Sequence, residues 1–411
     1  MRTGILSNYY SWLAYGWTQG KLWLPNVTEY KLDLTFYSGH WYNAFPPLPG
    51  VVMLPFVLVW GLDANQVAVS VGLGIVNVLL ARLVLNKLSD YYFLSINVRN
   101  WLTLLFGFGT VAWQSSVQGT VWYFAQVCAL TLLLLSLLVG FSTKNPFFTG
   151  LLVGLAGLAR PTCWLTLLFW VIFFCKIYSD KLPVESVRNP ESRLIRAASF
   201  LKKYAPGFIY LIIGPVACLF FMFFYNWLRF GSFSDFGYMN MSVNEWLKAD
   251  LNRYGQFSFH YFGKNFYYAF LNLPNIQFTQ PFIKFDQVGN SIFAITPAFL
   301  LVPFALRYLR KPFSKWLSDW ASVLTLGAFL STIAVLFMVL LYYNTGEAQL
   351  GYRFIQDCLP FMIILVALAW PTKKMFFNLA GIMVVISVVM NFLGTVWYQL
   401  FWPDIFGYFI R

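Results

Sequence analysis

Long apolar runs alternating with short basic connections constrain this chain more than any motif does. Runs such as LTLLLLSLLVGF and VLTLGAFLSTIAVLFMVLL approach or reach the roughly 20 residues that cross a bilayer as a helix. The alternating ten-residue segments of a membrane β-barrel are absent. Charged residues make up 10% of the chain, where soluble domains carry about 25%. The fold class that follows is an all-α polytopic membrane protein with about 10 transmembrane helices plus outer juxtamembrane helices, forming one membrane-embedded unit over 1–411. Spanning helices are expected at 66–84, 101–114, 121–140, 147–159, 163–176, 207–228, 291–306, 321–343, 354–370 and 376–397.

Charge then orients the chain. The net charge is +13, but the Lys and Arg residues gather between apolar runs, which is a topology signal and not a nucleic-acid surface. Alternate loops hold Arg82, Lys87 and Arg99, then Lys144, then Lys176 through Lys203 with Arg188, Arg193 and Arg196 between. Arg307, Arg310, Lys311, Lys315, Lys373 and Lys374 continue the pattern. The positive-inside rule makes those loops cytoplasmic and places 1–65 and the long segment 229–290 outside. That assignment requires residues 46–62 not to cross. The stretch YNAFPPLPG fixes an extended approach through Pro46, Pro47 and Pro49, Pro55 interrupts the following run, and Trp41, Tyr42 and Trp60 offer interfacial anchors. A helix lying in the outer interface fits better than a crossing.

On this topology the outer face carries both histidines, His40 and His260, and most of the carboxylates, so an enzymatic site would face outward. Arg160 ends one apolar run and Arg353 begins another; ionisable side chains at membrane depth point to an anion or a buried partner. Arg353 and Asp357, four residues apart, could pair on one helix face, yet a cation at a helix start opposes the dipole. Interfacial snorkelling is the bland alternative for each arginine. Asp33, in YKLDLTFYSGHWY, is a candidate general base, with Glu29 a weaker one, against the plainer reading of a turn-capping aspartate. Asn26 and Asn240 match glycosylation sequons. The five cysteines and two histidines show no metal-ligand spacing, so no metal and no cofactor is expected from the residues alone.

Five stretches together carry a resemblance: GKLWL with YSGHWYNAFPPLPGVVMLPFVLVWG, then FGFGTVAWQSSVQGTVWYFAQ, GLLVGLAGLARPT, YNWLRFGSFSDFGY and GYRFIQDCLPF. In this order the chain resembles the GT-C class of integral-membrane glycosyltransferases. The branch is that of the protein O-mannosyltransferases and aminoarabinose transferases. The resemblance implies a polyprenyl-phosphate-linked sugar donor and inverting transfer to an acceptor hydroxyl on a glycan, lipid or protein, at the outer side of the cytoplasmic membrane. It implies a carboxylate base in the first outer loop, Asp33 or Glu29 here. Arginines on the lipid phosphate are implied too: Arg353 first, Arg160 second, and Arg229 in YNWLRFGS third. Arginine charge suffices for a single phosphate, although oligosaccharide-transferring members of the class use a divalent ion.

The chain departs from the family at its start. LAYGWTQGKL carries Tyr15 where relatives place an acid, and the resemblance implies a first spanning helix before Met1, so that the base lies upstream of Met1, or Asp33 or Glu29 serves, or the protein is inactive. The alternatives are a transporter or flippase of lipid-linked sugars, and an inactive truncated member acting as a membrane scaffold. Transporters commonly show internal repeats and broken helices, and no repeat relates the two halves of this sequence.

Overall fold

The computed structural model describes residues 8–25, 27, 31–181, 192–279, 282–312 and 315–401. Glu29, the Asn26 sequon and Arg188 lie outside the described residues.

Among the described residues six helices are long and apolar enough to cross a membrane: Gln66–Leu88, Val121–Thr143, Pro161–Ser179, Lys203–Phe230, Trp320–Leu340 and Lys374–Tyr398. They make the chain a multi-pass membrane protein, and among the described residues the fold is helical apart from two short hairpins. Local chemistry sets the helix ends. Asn65 accepts from the backbone N–H groups of Val67 and Ala68 and so caps Gln66–Leu88. Asp319 does the same for Ser322 at the start of Trp320–Leu340. Gly119, left-handed at φ 55°, ends Val111–Gln118.

Four of the ten expected crossings need correction. The 101–114 run divides into Ile96–Phe108 and Val111–Gln118. The 147–159 run is the 12-residue helix Pro146–Gly157, about 18 Å long at 1.5 Å per residue. The 291–306 run breaks into short α and 3-10 turns at Pro297 and Pro303, which lack the N–H a continuous helix needs. The 354–370 run starts as a 3-10 turn, Arg353–Cys358, and becomes α-helical only over Leu359–Ala369. About 30 Å of hydrocarbon asks for more than any of these pieces supplies alone. Hydropathy registers apolarity whether it serves an outward face or burial in protein: Phe148 and Phe304 on these segments are exposed. Every residue of Leu359–Ala369 is buried.

The core forms around that short helix. Val121–Thr143 runs through the centre, buried over 72% of its most apolar stretch, while Gln66–Leu88 at 22% and Lys203–Phe230 at 28% turn most of theirs outward. Helix Pro146–Gly157 lies unusually close to the long helix Ser192–Phe230. A Cβ on Gly150 would sit 1.8 Å from the Leu211 carbonyl oxygen, so only glycine permits the approach.

At one end of the bundle three segments meet. The hairpin Leu34–Tyr37/His40–Asn43 turns at Ser38 and Gly39, both with positive φ, as a two-residue hairpin turn requires. Its first strand is tied to the 237–242 segment: Thr35 Oγ1 donates to the Gly237 carbonyl at 2.9 Å and Ser242 N to the Leu34 carbonyl at 2.8 Å. Asn265 Nδ2 in turn donates to the Leu340 and Tyr342 carbonyls at 2.9 and 2.7 Å. Helix Leu48–Trp60, with Pro55 inside it, spans 13 residues, about 20 Å, short of a crossing.

Candidate functional site

That end encloses two adjoining chambers. The wider, about 190 Å³, is lined by Asp33, Trp122, Trp246, Lys264, Glu347 and Arg353 among others. The narrower, about 50 Å³, is mostly aromatic, with Tyr10, Phe45, Tyr238, Tyr342 and Phe354 around Arg160. Asp33, Trp122, Asn344 and Arg353 belong to both, and so form the wall between them.

Asp33 stands in a left-handed backbone conformation, φ 59°, at the turn that opens the hairpin. Asp and Asn enter that region more readily than other non-glycine residues, though at some cost. Its N–H donates to the Ser242 carbonyl at 2.7 Å, which fixes the turn and aims the side chain at the chamber wall. The carboxylate is 9% exposed, and Trp122 Nε1 donates to Oδ2 at 2.7 Å. Burial pushes its pKa up to about 6, with Glu347 adding to the rise and the Trp122 hydrogen bond and the Arg353 charge holding it back. A buried carboxylate that ionises just below neutral pH can accept a proton from a hydroxyl.

Arg353 is 5% exposed. Its guanidinium lies over the Tyr123 ring at 4.8 Å and the Phe354 ring at 5.3 Å, and its Nε has no hydrogen-bond partner. Among the described residues it forms no ion pair. The backbone beneath is firmly held, since Arg353 N donates to Gln349 Oε1 at 3.1 Å and Gln126 Nε2 donates to the Arg353 carbonyl at 3.1 Å. Aromatic faces attract a cation but do not neutralise it. A buried charge left in this state costs several kcal/mol unless an anion joins it.

The expected pairing of Arg353 with Asp357 is not made, and the reason is local. Residues 353–358 form a 3-10 turn with three residues per turn, so positions four apart point a third of a turn away from each other. Asp357 faces Arg160 instead: Nη2 donates to Oδ2 at 3.2 Å and Nε to Oδ1 at 3.3 Å, and Thr162 Oγ1 also donates to Oδ2. The Asp357 side chain is fully buried. Burial alone would lower the Arg160 pKa, and the Asp357 carboxylate reverses that and raises it. Arg160 also lies over the Phe354 ring at 5.4 Å, so one ring serves both guanidinium groups.

Arg229 is placed elsewhere. It lines neither chamber. Nη1 donates to the Asn43 carbonyl at 2.7 Å and Nη2 to Asn226 Oδ1 at 2.7 Å, with the Tyr225 ring 4.2 Å away. Those bonds pin the hairpin to the end of the long helix. His40 stacks on Trp23 and His260 on Tyr254, each away from the chambers' linings. Among the described residues no group of three or more His, Cys, Asp or Glu could hold a metal ion.

Four lining residues gave no sequence signal of a site role. Trp122 sits within a motif that carries the family resemblance, but its bond to Asp33 spans 89 positions. Trp246 and Lys264 lie on the short helices Glu245–Tyr254 and Phe262–Phe266, and Glu347 in the connection after Trp320–Leu340, none with diagnostic spacing, and Lys264 Nζ stands 4.9 Å over the Trp246 ring.

No family model matches the chain, and no curated protein matches it. Two solved structures are similar to it. One is the crystal structure of the Archaeoglobus fulgidus oligosaccharyltransferase in the apo form, at 12% identity and TM-score 0.44. The other is an archaeal oligosaccharyltransferase from Archaeoglobus fulgidus in complex with an inhibitory peptide and a dolichol-phosphate, at 12% identity and TM-score 0.40. Each alignment covers 98% of this chain and 55% of the other, so the chain spans about half the length of those proteins.

Proposed function

We propose that this chain is a membrane glycosyltransferase that moves a sugar from a polyprenyl-phosphate donor to an acceptor hydroxyl, with inversion. The observation that carries the reading is the shared wall: a carboxylate with a raised pKa and a guanidinium without a carboxylate partner face the same cavity. The GT-C motifs of the sequence supply the reaction class. The acceptor hydroxyl enters the wider chamber and gives its proton to Asp33. Its oxygen attacks the anomeric carbon as the bond from that carbon to the phosphate oxygen breaks. The phosphate keeps the electron pair and its growing charge is met by Arg353, with Arg160 across the Phe354 ring in the narrower chamber. Arg160 is already neutralised by Asp357, which gives Arg353 the larger share. Arg229, spent on the Asn43 carbonyl, acts through the hairpin that carries Asp33 and not on the phosphate.

The test uses membranes containing the full chain and a radiolabelled polyprenyl-phosphate sugar. Label transferred to an endogenous acceptor, and lost in both Asp33→Asn and Arg353→Ala, supports the proposal. Label carried across the bilayer without transfer would replace it with a flippase. Transfer that survives Arg353→Ala would remove the phosphate assignment.

A further inference from the structure

Away from the chambers, large apolar side chains crowd one short hairpin. Leu271 is 57% exposed, Leu273 68%, Ile276 81%, Phe278 103% and Phe282 60%. The strands Asn275–Ile276 and Ile283–Lys284 pair antiparallel, and Gln277 N donates to the Phe282 carbonyl at 3.0 Å. Alternation along the return strand separates two faces. Ile283 and Phe285 pack inward on Ile295, Leu350, Trp397 and Tyr398, whereas Phe282 and Lys284 point outward. No described residue covers the outward group.

The root of the hairpin fixes its level relative to the bilayer. Helix Lys374–Phe401 carries a membrane-spanning apolar stretch over Lys374–Tyr398, about 37 Å at 1.5 Å per residue, so Trp397 and Tyr398, both buried against the root of the hairpin, stand near the far edge of the hydrocarbon. The Phe285 ring lies 5.9 Å from the Trp397 ring, and Tyr398 Oη donates to the Asp286 carbonyl at 2.7 Å. Exposed Val385, Val389 and Phe392 run along the same helix toward that end. The lipid-facing surface therefore continues from the spanning helix to the foot of the hairpin. Lys284, exposed and paired in register with Asn275 at the hairpin's base, stands where a cation meets lipid phosphate.

We propose that residues 271–279 and 282–284 form a membrane anchor, with Ile276, Phe278 and Phe282 inserted into the interfacial layer of the leaflet at the C-terminal end of helix Lys374–Phe401. The anchor connects to the candidate site. Gln349 Nε2 donates to the Val288 carbonyl at 2.6 Å and Asn290 Nδ2 to the Leu350 carbonyl at 2.7 Å, and Gln349 is the residue that holds the Arg353 backbone. Fixing the hairpin at the lipid surface fixes the height of Arg353 above it. This holds whether or not the chain transfers a sugar.

The test uses the full chain in vesicles of phosphatidylethanolamine and phosphatidylglycerol. Phe278→Cys and, separately, Ile276→Cys are made in a Cys175→Ser background, because the other four cysteines are buried. Each is labelled with an environment-sensitive NBD fluorophore, and Asn240→Cys, exposed on the 237–242 segment, serves as the aqueous control. Positions 276 and 278 should emit to the blue of position 240, lose most of their emission to lipids carrying a shallow nitroxide, and resist aqueous iodide. Iodide quenching equal to the control overturns the proposal. Blue-shifted emission that nitroxide lipids leave unchanged overturns it too, since protein would then cover the hairpin.

Discussion

Replacing Asp33 with asparagine tests the electrostatics of the site apart from its chemistry. Asparagine tolerates the left-handed backbone of that position, and its side-chain oxygen can still accept from Trp122. What disappears is the ability to ionise. Asp33 holds its proton up to about pH 6 in the folded chain, against the ordinary aspartate value of 3.8 in the unfolded chain. Between those values the folded state binds more protons, so the group's contribution to stability falls as pH rises. Above pH 6 the full cost is present, about 3 kcal/mol at 1.36 kcal/mol per pH unit. Near pH 4 it has shrunk to about 0.5 kcal/mol. Asp33→Asn should therefore melt above the wild type at pH 8, by on the order of 5 °C, and at nearly the same temperature at pH 4. Thermal unfolding of the detergent-solubilised proteins, followed across that range, reads the difference directly. A variant no more stable at pH 8 than at pH 4, relative to wild type, would refute the buried, destabilising carboxylate. The same substitution should reduce sugar transfer by about 100-fold or more, the range for removing a general base.

Transfer by the wild type should rise with pH and level off above about pH 6, because only ionised Asp33 accepts a proton; an initial-rate profile flat from pH 5 to 8 would contradict that. Asp357→Ala leaves the Arg160 guanidinium without its carboxylate and should cost about 3–5 kcal/mol, read as a fall in melting temperature. Arg353→Lys keeps the charge but loses the planar fork and its stacking on Tyr123, so it should weaken donor use less than Arg353→Ala and fail to restore wild-type rates. Gly150→Leu drives a side chain into the Leu211 backbone, and should lower stability by at least about 1–3 kcal/mol and reduce the yield of folded protein from membranes. Cysteines placed at positions 33 and 353 should react with impermeant reagents from the same side of the bilayer, if at all, since both residues line one cavity; labelling from opposite sides would break the site apart.

The membrane class of this protein was readable from its residues, because a run of apolar side chains near 20 residues long has few other uses. The six long helices fall where hydropathy puts them. Hydropathy at 101–114, 147–159, 291–306 and 354–370 did not reveal that the helices there are short or broken, because apolarity says nothing of helix continuity. Their lengths and breaks come from Gly109, Pro297, Pro303 and the 3-10 turn at 353–358.

Ionisable side chains beside apolar runs also named Asp33, Arg160 and Arg353 as candidates, without being able to relate them. Helical periodicity offered Asp357 to Arg353, but the backbone there winds with three residues per turn, and Asp357 went to Arg160, 197 positions away. Arg229 ranked third for the phosphate by resemblance, and its environment gave it a carbonyl to hold instead. The pKa of Asp33 is raised by burial and held back by the Trp122 hydrogen bond, and Trp122 lies 89 positions away in the chain. Side-chain chemistry is a property of residue type, whereas which charge meets which, and how much water remains between them, depends on segments that only packing brings together.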